Sequence, residues 1–174
     1  MIELEPVEAV EVTLVVDNFV DILMAGAEGV RRFPLAYDFF DHEQLVAEHG
    51  FSALVTVEAG GRRSSILYDG GMTPKGLGNN LDVMGVDTAG LRAIVISHGH
   101  VDHHGGLEGL AARGGRRRLP LLIHPGAWRE RKITFPTGAE LHLPPPSRAD
   151  LEAEGLEVVE ERGPTLLLDG RVLI

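Results

Sequence analysis

The pattern of hydrophobic and polar positions predicts a sheet that begins with antiparallel strands. From Val10 to Val16, apolar residues alternate with polar or smaller ones, which is the two-residue period of a half-buried strand. Residues 51–58 and 64–68 are two further strand-like segments, and the Gly-Gly pair between them at 60–61 indicates a β-hairpin. The first third of the chain is therefore predicted to supply three strands.

The rest of the chain alternates between helical and strand-like segments. Residues 19–40 are broken by glycines and a proline, so they are predicted to form a loop. An Asp-Gly pair at 169–170 predicts a tight turn between the last two strands. The pattern predicts helices over 43–49, 107–112 and 147–154, helical turns near 77–84 and 88–91, and strands over 93–96, 119–124, 156–161, 165–168 and 171–174. A sheet flanked by helices, of the α/β (α+β) class, is the expected architecture.

Length and composition narrow the class of protein. The 174 residues, 44% hydrophobic and 24% charged, suit a single domain spanning 1–174. There is no cysteine, so disulfides and thiolate metal ligands are excluded. No apolar run is long enough to span a membrane, and the acidic start does not resemble a signal peptide, so a cytoplasmic location is expected. The net charge of −10 argues against nucleic acid as a partner.

A cluster of potential metal ligands follows the predicted buried strand over 93–96. His98, His100, Asp102 and His103 fall within six residues, directly before a glycine pair. Alternate residues His98 and His100 can face one side and hold one ion, while Asp102 and His103 turn toward a second. Imidazole and carboxylate suit zinc, iron or manganese. The alternative is a solvated, histidine-rich loop, and His104, which breaks the spacing, is interpreted as a bystander.

This cluster resembles the H-x-H-x-D-H motif of the metallo-β-lactamase superfamily. The segment 67–71, with Asp69 at a predicted strand end, is similar to the first motif of that superfamily. The resemblance implies an αββα sandwich, of which this chain would be the N-terminal part. It also implies two divalent metal ions, and zinc is the metal expected. In that superfamily the aspartate that corresponds to Asp69 orients the metal loop through hydrogen bonds and is not a ligand.

Further segments narrow the resemblance to one branch. Residues 47–52, 79–81 and 97–107 are similar to the dihydropterin ribofuranosyl-aminobenzene-phosphate synthase-like branch. That likeness implies a metal-dependent hydrolase acting on a small, phosphorylated or pterin-like metabolite through a binuclear site. Asp102 would then be the catalytic residue that handles the proton of the attacking water. An iron-dependent oxidoreductase on the same fold is an alternative.

The chain departs from the superfamily in its later ligands. The superfamily supplies a third histidine, a bridging aspartate and a last histidine further along the chain, whereas only His124 and His142 follow here. His124 is interpreted as a residue of the pocket wall and His142 as structural. The C-terminal portion of the domain is therefore expected to be missing, and a homodimer or a complementary C-terminal segment is expected as partner. A truncated, non-catalytic metal-binding fragment is the corresponding alternative.

Three further residues are candidates for the pocket. Asp17 and Asn18 come at the end of the first predicted strand, where this fold places pocket residues. A role in a simple turn is the alternative for both. His49 lies at the end of the predicted helix over 43–49, where a helix C-terminus would favour its charged form, and the same two readings stay open for it.

Overall fold

A computed structural model describes residues 2–33, 43–108, 110, 113 and 118–174. The strands are β1 Ala9–Val16, β2 Ser52–Ala59, β3 Arg62–Tyr68, β4 Leu91–Ile96, β5 Leu119–Ile123, β6 Arg131–Thr134, β7 Glu140–Leu143, β8 Leu156–Glu160, β9 Leu166–Leu167 and β10 Val172–Leu173. The α-helices are α1 Pro74–Val83, α2 Val101–His104 and α3 Arg148–Ala153. Short 3₁₀ turns occupy Thr88–Gly90, Gly105–Leu107 and Pro125–Trp128.

Six of the strands form one mixed sheet in the order β1-β2-β3-β4-β5-β8. The pairs β1–β2 and β2–β3 are antiparallel, whereas β3–β4, β4–β5 and β5–β8 are parallel. The parallel strands β3, β4 and β5 therefore end at the same edge of the sheet, where loops commonly carry a binding site in such folds. This mixed α/β architecture confirms the predicted fold class.

The two faces of the sheet are covered differently. One face packs against apolar side chains of the helical segments, among them Leu77 and Leu81 of α1 and Leu151 of α3. The other face buries a smaller cluster under the β9–β10 hairpin, with Leu167 and Val172 in contact with it. The sheet thus lies between helices on one face and the β9–β10 hairpin on the other.

Part of the second face stays open beside that hairpin. Val10, Val12 and Leu14 of β1 project on this side, because their partners on β2 belong to the same face. The three side chains are 57%, 58% and 49% exposed, unusually high for alternating apolar residues of a sheet. We call these three residues the β1 stripe.

The predicted helix over 43–49 is wrong. The described segment 43–48 forms neither helix nor strand. The side chain of Asn80, buried in α1, accepts a hydrogen bond from the N–H of Val46 (2.9 Å) and donates to the carbonyls of Val46 (2.9 Å) and Val15 (2.7 Å). This tertiary partner satisfies backbone groups that a helix would otherwise pair internally, so the local pattern was overridden.

Other predictions differ from the structure in smaller ways. The predicted β2–β3 hairpin, the helix capped by Ser147 and the turn at Asp169–Gly170 are confirmed. The β6–β7 hairpin was not foreseen. Residues 19–33 of the predicted loop contain only an isolated bridge between Ala27 and Val30, and residues 34–40 lie outside the described residues. Of the predicted helix over 107–112, Leu107 ends a 3₁₀ turn and Leu110 is helical, and residues 109, 111 and 112 lie outside the described residues as well.

Candidate metal centre

The histidine cluster lies at the edge where the parallel strands end. β4 stops at Ile96, and the loop from Ser97 to His100 leads into the single turn of α2, which carries Asp102 and His103. The loop meets the end of β3, because Gly70 N donates to the carbonyl of His103 at 2.7 Å. A buried strand followed by a tight turn thus directs several polar side chains to one place. We call residues 97–104 the metal loop.

The structure brings the four predicted ligands together. The ring centroids of His98 and His100 are 4.5 Å apart, and those of His98 and His103 are 4.2 Å apart. Oδ2 of Asp102 lies 3.4 Å from Nε2 of His103. The alternative of side chains that point apart into solvent does not agree with this arrangement.

The carboxylate of Asp69 holds the metal loop in place through hydrogen bonds. It follows β3, is 1% exposed, and its carboxylate accepts hydrogen bonds from Ser97 N (2.8 Å to Oδ1) and from Ser97 Oγ (2.7 Å to Oδ2). Nδ1 of His103 lies 2.7 Å from Oδ2 of the same carboxylate. These contacts with the loop are those that the resemblance implied for Asp69.

The Asp69 carboxylate also determines which ring nitrogens carry protons. A carboxylate only accepts, so Nδ1 of His103 donates, which leaves the lone pair of a neutral ring on Nε2. The hydroxyl of Ser97 donates its one proton to Asp69, so Nδ1 of His98, 2.9 Å from the same oxygen, donates in turn. Two of the histidines are therefore held with Nε2 available to a metal ion, as ligating histidines usually are.

Electrostatics also favour neutral imidazoles here. Burial, followed by the neighbouring His103 and His100, lowers the pKa of His98, and Asp69 and Asp102 oppose this only in part. His104 is more deeply buried, and burial lowers its pKa to about 4. Its Nε2 is buried with no hydrogen-bond partner among the described residues. Neutral rings are the form in which histidine binds a metal ion.

In donor chemistry these residues fit a divalent transition metal, but they do not enclose one. Within the described ranges, no three histidine, aspartate or glutamate side chains are arranged so that they could hold one ion together. The predicted pairs, His98 with His100 and Asp102 with His103, would therefore each supply two donors. Each pair would need further donors to complete a coordination shell, which has four positions for zinc.

His49 reaches the metal loop from the segment before β2. Its Nε2 is 3.5 Å from Oδ2 of Asp102, and its side chain is 76% exposed. Its neighbours hold the segment in place, because Phe51 N donates to the carbonyl of Asp102 (3.3 Å) and a Cβ at Gly50 would overlap that same carbonyl. His49 thus stands at the open side of the candidate site.

Glu48 is a residue of this region to which the sequence pattern assigned no role. Its carboxylate accepts hydrogen bonds from the N–H groups of Met72 and Thr73 (both 3.0 Å) and from the hydroxyl of Thr73 (2.6 Å), just before α1. Negative charge at a helix N-terminus is favourable. The contact spans 24 or 25 residues, so no local signal could have revealed it.

The other predicted pocket residues, and His142, make local hydrogen bonds or ion pairs. Asp17 accepts a hydrogen bond from Asn18 N through its own carboxylate (2.7 Å), and its carbonyl accepts one from Glu48 N (3.2 Å). Nδ1 of His124 accepts from Gly126 N at 3.0 Å and caps a 3₁₀ turn, so its proton is on Nε2. His142 lies on β7, 72% exposed, with Nε2 3.8 Å from Glu140.

Comparison with known proteins agrees with this fold. Residues 46–168 match the sequence profile of the Metallo-beta-lactamase superfamily. The chain therefore belongs to the metallo-beta-lactamase superfamily, whose members are metal-dependent, hydrolase-like enzymes in general. Within the described part of the chain, no helix is long and apolar enough to cross a membrane.

Two individual proteins are similar to this chain in sequence. The chain is 27% identical over 148 residues to the 7,8-dihydropterin-6-methyl-4-(beta-D-ribofuranosyl)-aminobenzene-5'-phosphate synthase of Methanocaldococcus jannaschii, covering 82% of this chain and 49% of that protein. An uncharacterised protein of the same organism is 37% identical over 67 residues, which are 38% of this chain and 24% of that protein. The chain thus spans about half the length, or less, of these relatives.

A solved structure resembles the fold. It is a crystal structure of a metal-dependent hydrolase of the beta-lactamase superfamily, with a TM-score of 0.51 and 20% identity. The match covers 90% of this chain and 44% of that chain. At this level of identity the likeness concerns the fold alone.

Proposed function

We propose that this chain carries the metal-binding half of a hydrolase for a small phosphorylated or pterin-like metabolite. The observation that supports it best is the Asp69–Ser97 hydrogen-bond network, which holds His98 and His103 with Nε2 available to a metal ion. The proposed substrate class rests on the synthase of Methanocaldococcus jannaschii, whose name includes both a dihydropterin and a phosphate.

The proposed roles follow from the position of each side chain. His98 and His100 would hold a first ion, and Asp102 and His103 a second, with zinc as the expected metal and iron or manganese as alternatives. When bound, two such ions polarise a substrate oxygen and lower the pKa of an attacking water. Asp69 keeps the loop and the ring of His103 oriented through its carboxylate.

Asp102 is the residue proposed to move the proton. Its Oδ2 lies near Nε2 of His103 (3.4 Å) and near Nε2 of His49 (3.5 Å). A carboxylate flanked by two imidazoles can accept a proton at Oδ2 and pass it toward the open side, where His49 is exposed. His49 therefore belongs to the proposed pocket as well.

Hydrolysis of an activated phosphate ester tests this proposal. Metal-free protein, reloaded with Zn²⁺, Mn²⁺ or Fe²⁺, is given p-nitrophenyl phosphate and bis-p-nitrophenyl phosphate. We expect release of p-nitrophenol that requires added metal and falls at least about a hundredfold in Asp102→Asn, because loss of a positioned general base costs about 10²–10⁴-fold. Turnover that is independent of both metal and Asp102 would contradict the proposal.

We also propose that additional polypeptide, in a second copy or a complementary C-terminal segment, completes the site. Two observations support this: the ligand pairs of the described residues are not closed around an ion, and the β1 stripe is exposed. Exposed sheet surfaces tend to recruit another chain. Light scattering is expected to report a dimer, and Val12→Lys in the β1 stripe is expected to shift it toward the monomer. A monomer that binds two ions tightly would contradict this part, and a dimer unchanged by Val12→Lys would place the contact elsewhere.

A further inference from the structure

We propose that Arg131 is a positioning residue of the metal loop, which fixes the backbone between His98 and His100. The inference rests on the proposed function, since it concerns the same site. Arg131 is the first residue of β6, and it lies 32 residues from Gly99, the loop residue that it contacts.

The guanidinium of Arg131 is surrounded by carbonyl oxygens. Nη1 donates to the carbonyl of Gly99 at 3.1 Å, and it also lies 3.0 Å from the carbonyl of Ala127 and 2.8 Å from that of Arg129. Nη2 donates to the carbonyl of Gly126 at 3.1 Å. Two of these four oxygens belong to the turn after β5, one belongs to Arg129 directly after it, and the fourth belongs to the metal loop. One side chain thus connects the two segments.

Close packing brings the two segments within reach of that side chain. A Cβ at Gly99 would overlap the carbonyl oxygen and the Cα of Ala127, so only glycine allows this approach. The turn itself is short and capped by His124, and Ala127 within it is 3% exposed. Gly99 therefore packs directly against this short turn, and its carbonyl points toward Arg131.

The contact between Arg131 and Gly99 matters because Gly99 directly precedes the predicted ligand His100. The carbonyl of Gly99 belongs to the planar peptide unit that continues into His100. Fixing this oxygen therefore fixes the start of His100, while Asp69 holds Ser97 and His103. Asp69 and Arg131 restrain different parts of the loop, so the distance between the His98 and His100 rings depends on both.

The fork shape of the guanidinium is essential to this role. Arginine presents five donors in a rigid plane, whereas lysine presents three donors around one point. Lysine at position 131 would keep the positive charge but could not reach all four carbonyls. The substitution therefore separates the geometric role of Arg131 from its charge.

Arg131→Lys is compared with Arg129→Lys, an exposed arginine two residues away whose substitution leaves the carbonyl of residue 129 in place. We expect Co²⁺ affinity to fall about tenfold in Arg131→Lys, the size typical of lost support for a metal ligand, and the visible absorption bands of bound Co²⁺ to shift. Arg129→Lys is expected to match the unaltered chain in both. Circular dichroism establishes that each variant is folded.

A second measurement makes the inference independent of metal binding. In metal-free protein, hydrogen exchange at the amides of residues 98–100 is expected to be faster in Arg131→Lys than in Arg129→Lys. If Arg131→Lys does not fold, Arg131→Gln, which retains two N–H donors, replaces it with the same expected direction. Equal Co²⁺ affinity and equal exchange in both variants would overturn the inference. Absence of Co²⁺ binding by the unaltered chain would instead overturn the proposed function, while the exchange result still decides the role of Arg131.

Discussion

Binding of the first metal ion is expected to be lost when His98 and His100 are both replaced by alanine. The two rings lie 4.5 Å apart and are the only pair of histidines that the metal loop places two residues apart around Gly99. In the described residues no third side chain is arranged to hold an ion with them, so no remaining donor can take over. Zinc affinity at the first site is expected to fall by at least about 10³-fold, because coordination is the main source of the binding free energy.

Isothermal titration with Zn²⁺ measures this loss. His142→Ala is the matched control, because it removes an imidazole that is 72% exposed on the β6–β7 hairpin. We expect the control to bind Zn²⁺ as the unaltered chain does. Equal affinity in the double variant and the control would mean that His98 and His100 are not the ligands.

Asp69→Asn is expected to have the second largest effect. Asparagine can still accept from Ser97 N through its carbonyl oxygen, but its amide would present N–H groups to the hydroxyl of Ser97 and to Nδ1 of His103. The ring of His103 would then lose the partner that fixes its tautomer. We expect metal affinity to fall at least about tenfold and the free energy of unfolding to fall by about 1–3 kcal/mol.

The backbone at Asp69 does not confound this substitution. Its φ is 56°, in the left-handed region that asparagine also adopts readily, so the variant should differ mainly in hydrogen bonding. Asp87→Asn is the control, because this exposed aspartate caps a 3₁₀ turn, a role that asparagine fills equally well. Metal titration and urea unfolding of the two variants are compared. Unchanged metal affinity in Asp69→Asn would show that Asp69 does not orient the metal loop.

The local sequence pattern was sufficient to predict the elements whose partners are near in sequence. The β2–β3 hairpin follows from alternation around a glycine pair, and α3 follows from its capping Ser147. The placement of the four potential ligands also follows from local order, since the metal loop comes directly after the buried β4. In each case the information lies within about ten residues.

What the sequence did not reveal depends on distant partners. The predicted helix over 43–49 does not form, because the side chain of Asn80 bonds the backbone of Val46, which is 34 residues away. The contacts of Glu48 with Thr73 and of Arg131 with Gly99 join segments 25 and 32 residues apart. Carbonyl and N–H groups are present in every residue, so the sequence contains no signal for which of them a long side chain will reach.

The same limit applies to the pocket. His49 and His124 each end a predicted element, the helix over 43–49 and the strand over 119–124. In the structure His124 turns its Nδ1 to its own backbone, whereas His49 lies beside Asp102. The difference arises from the approach of the segment before β2 to the metal loop. Only the folded arrangement distinguishes a turn-capping histidine from one at the open side of the site.

The most direct test of the central claim is anomalous diffraction at the zinc edge from crystals soaked in Zn²⁺. The account predicts a strong peak about 2.0–2.1 Å from Nε2 of both His98 and His100, the usual zinc–nitrogen distance. It predicts a second peak next to Asp102 and His103, with Asp69 outside ligand distance. No peak within reach of the metal loop at saturating Zn²⁺, or peaks only at exposed histidines such as His142, would contradict it.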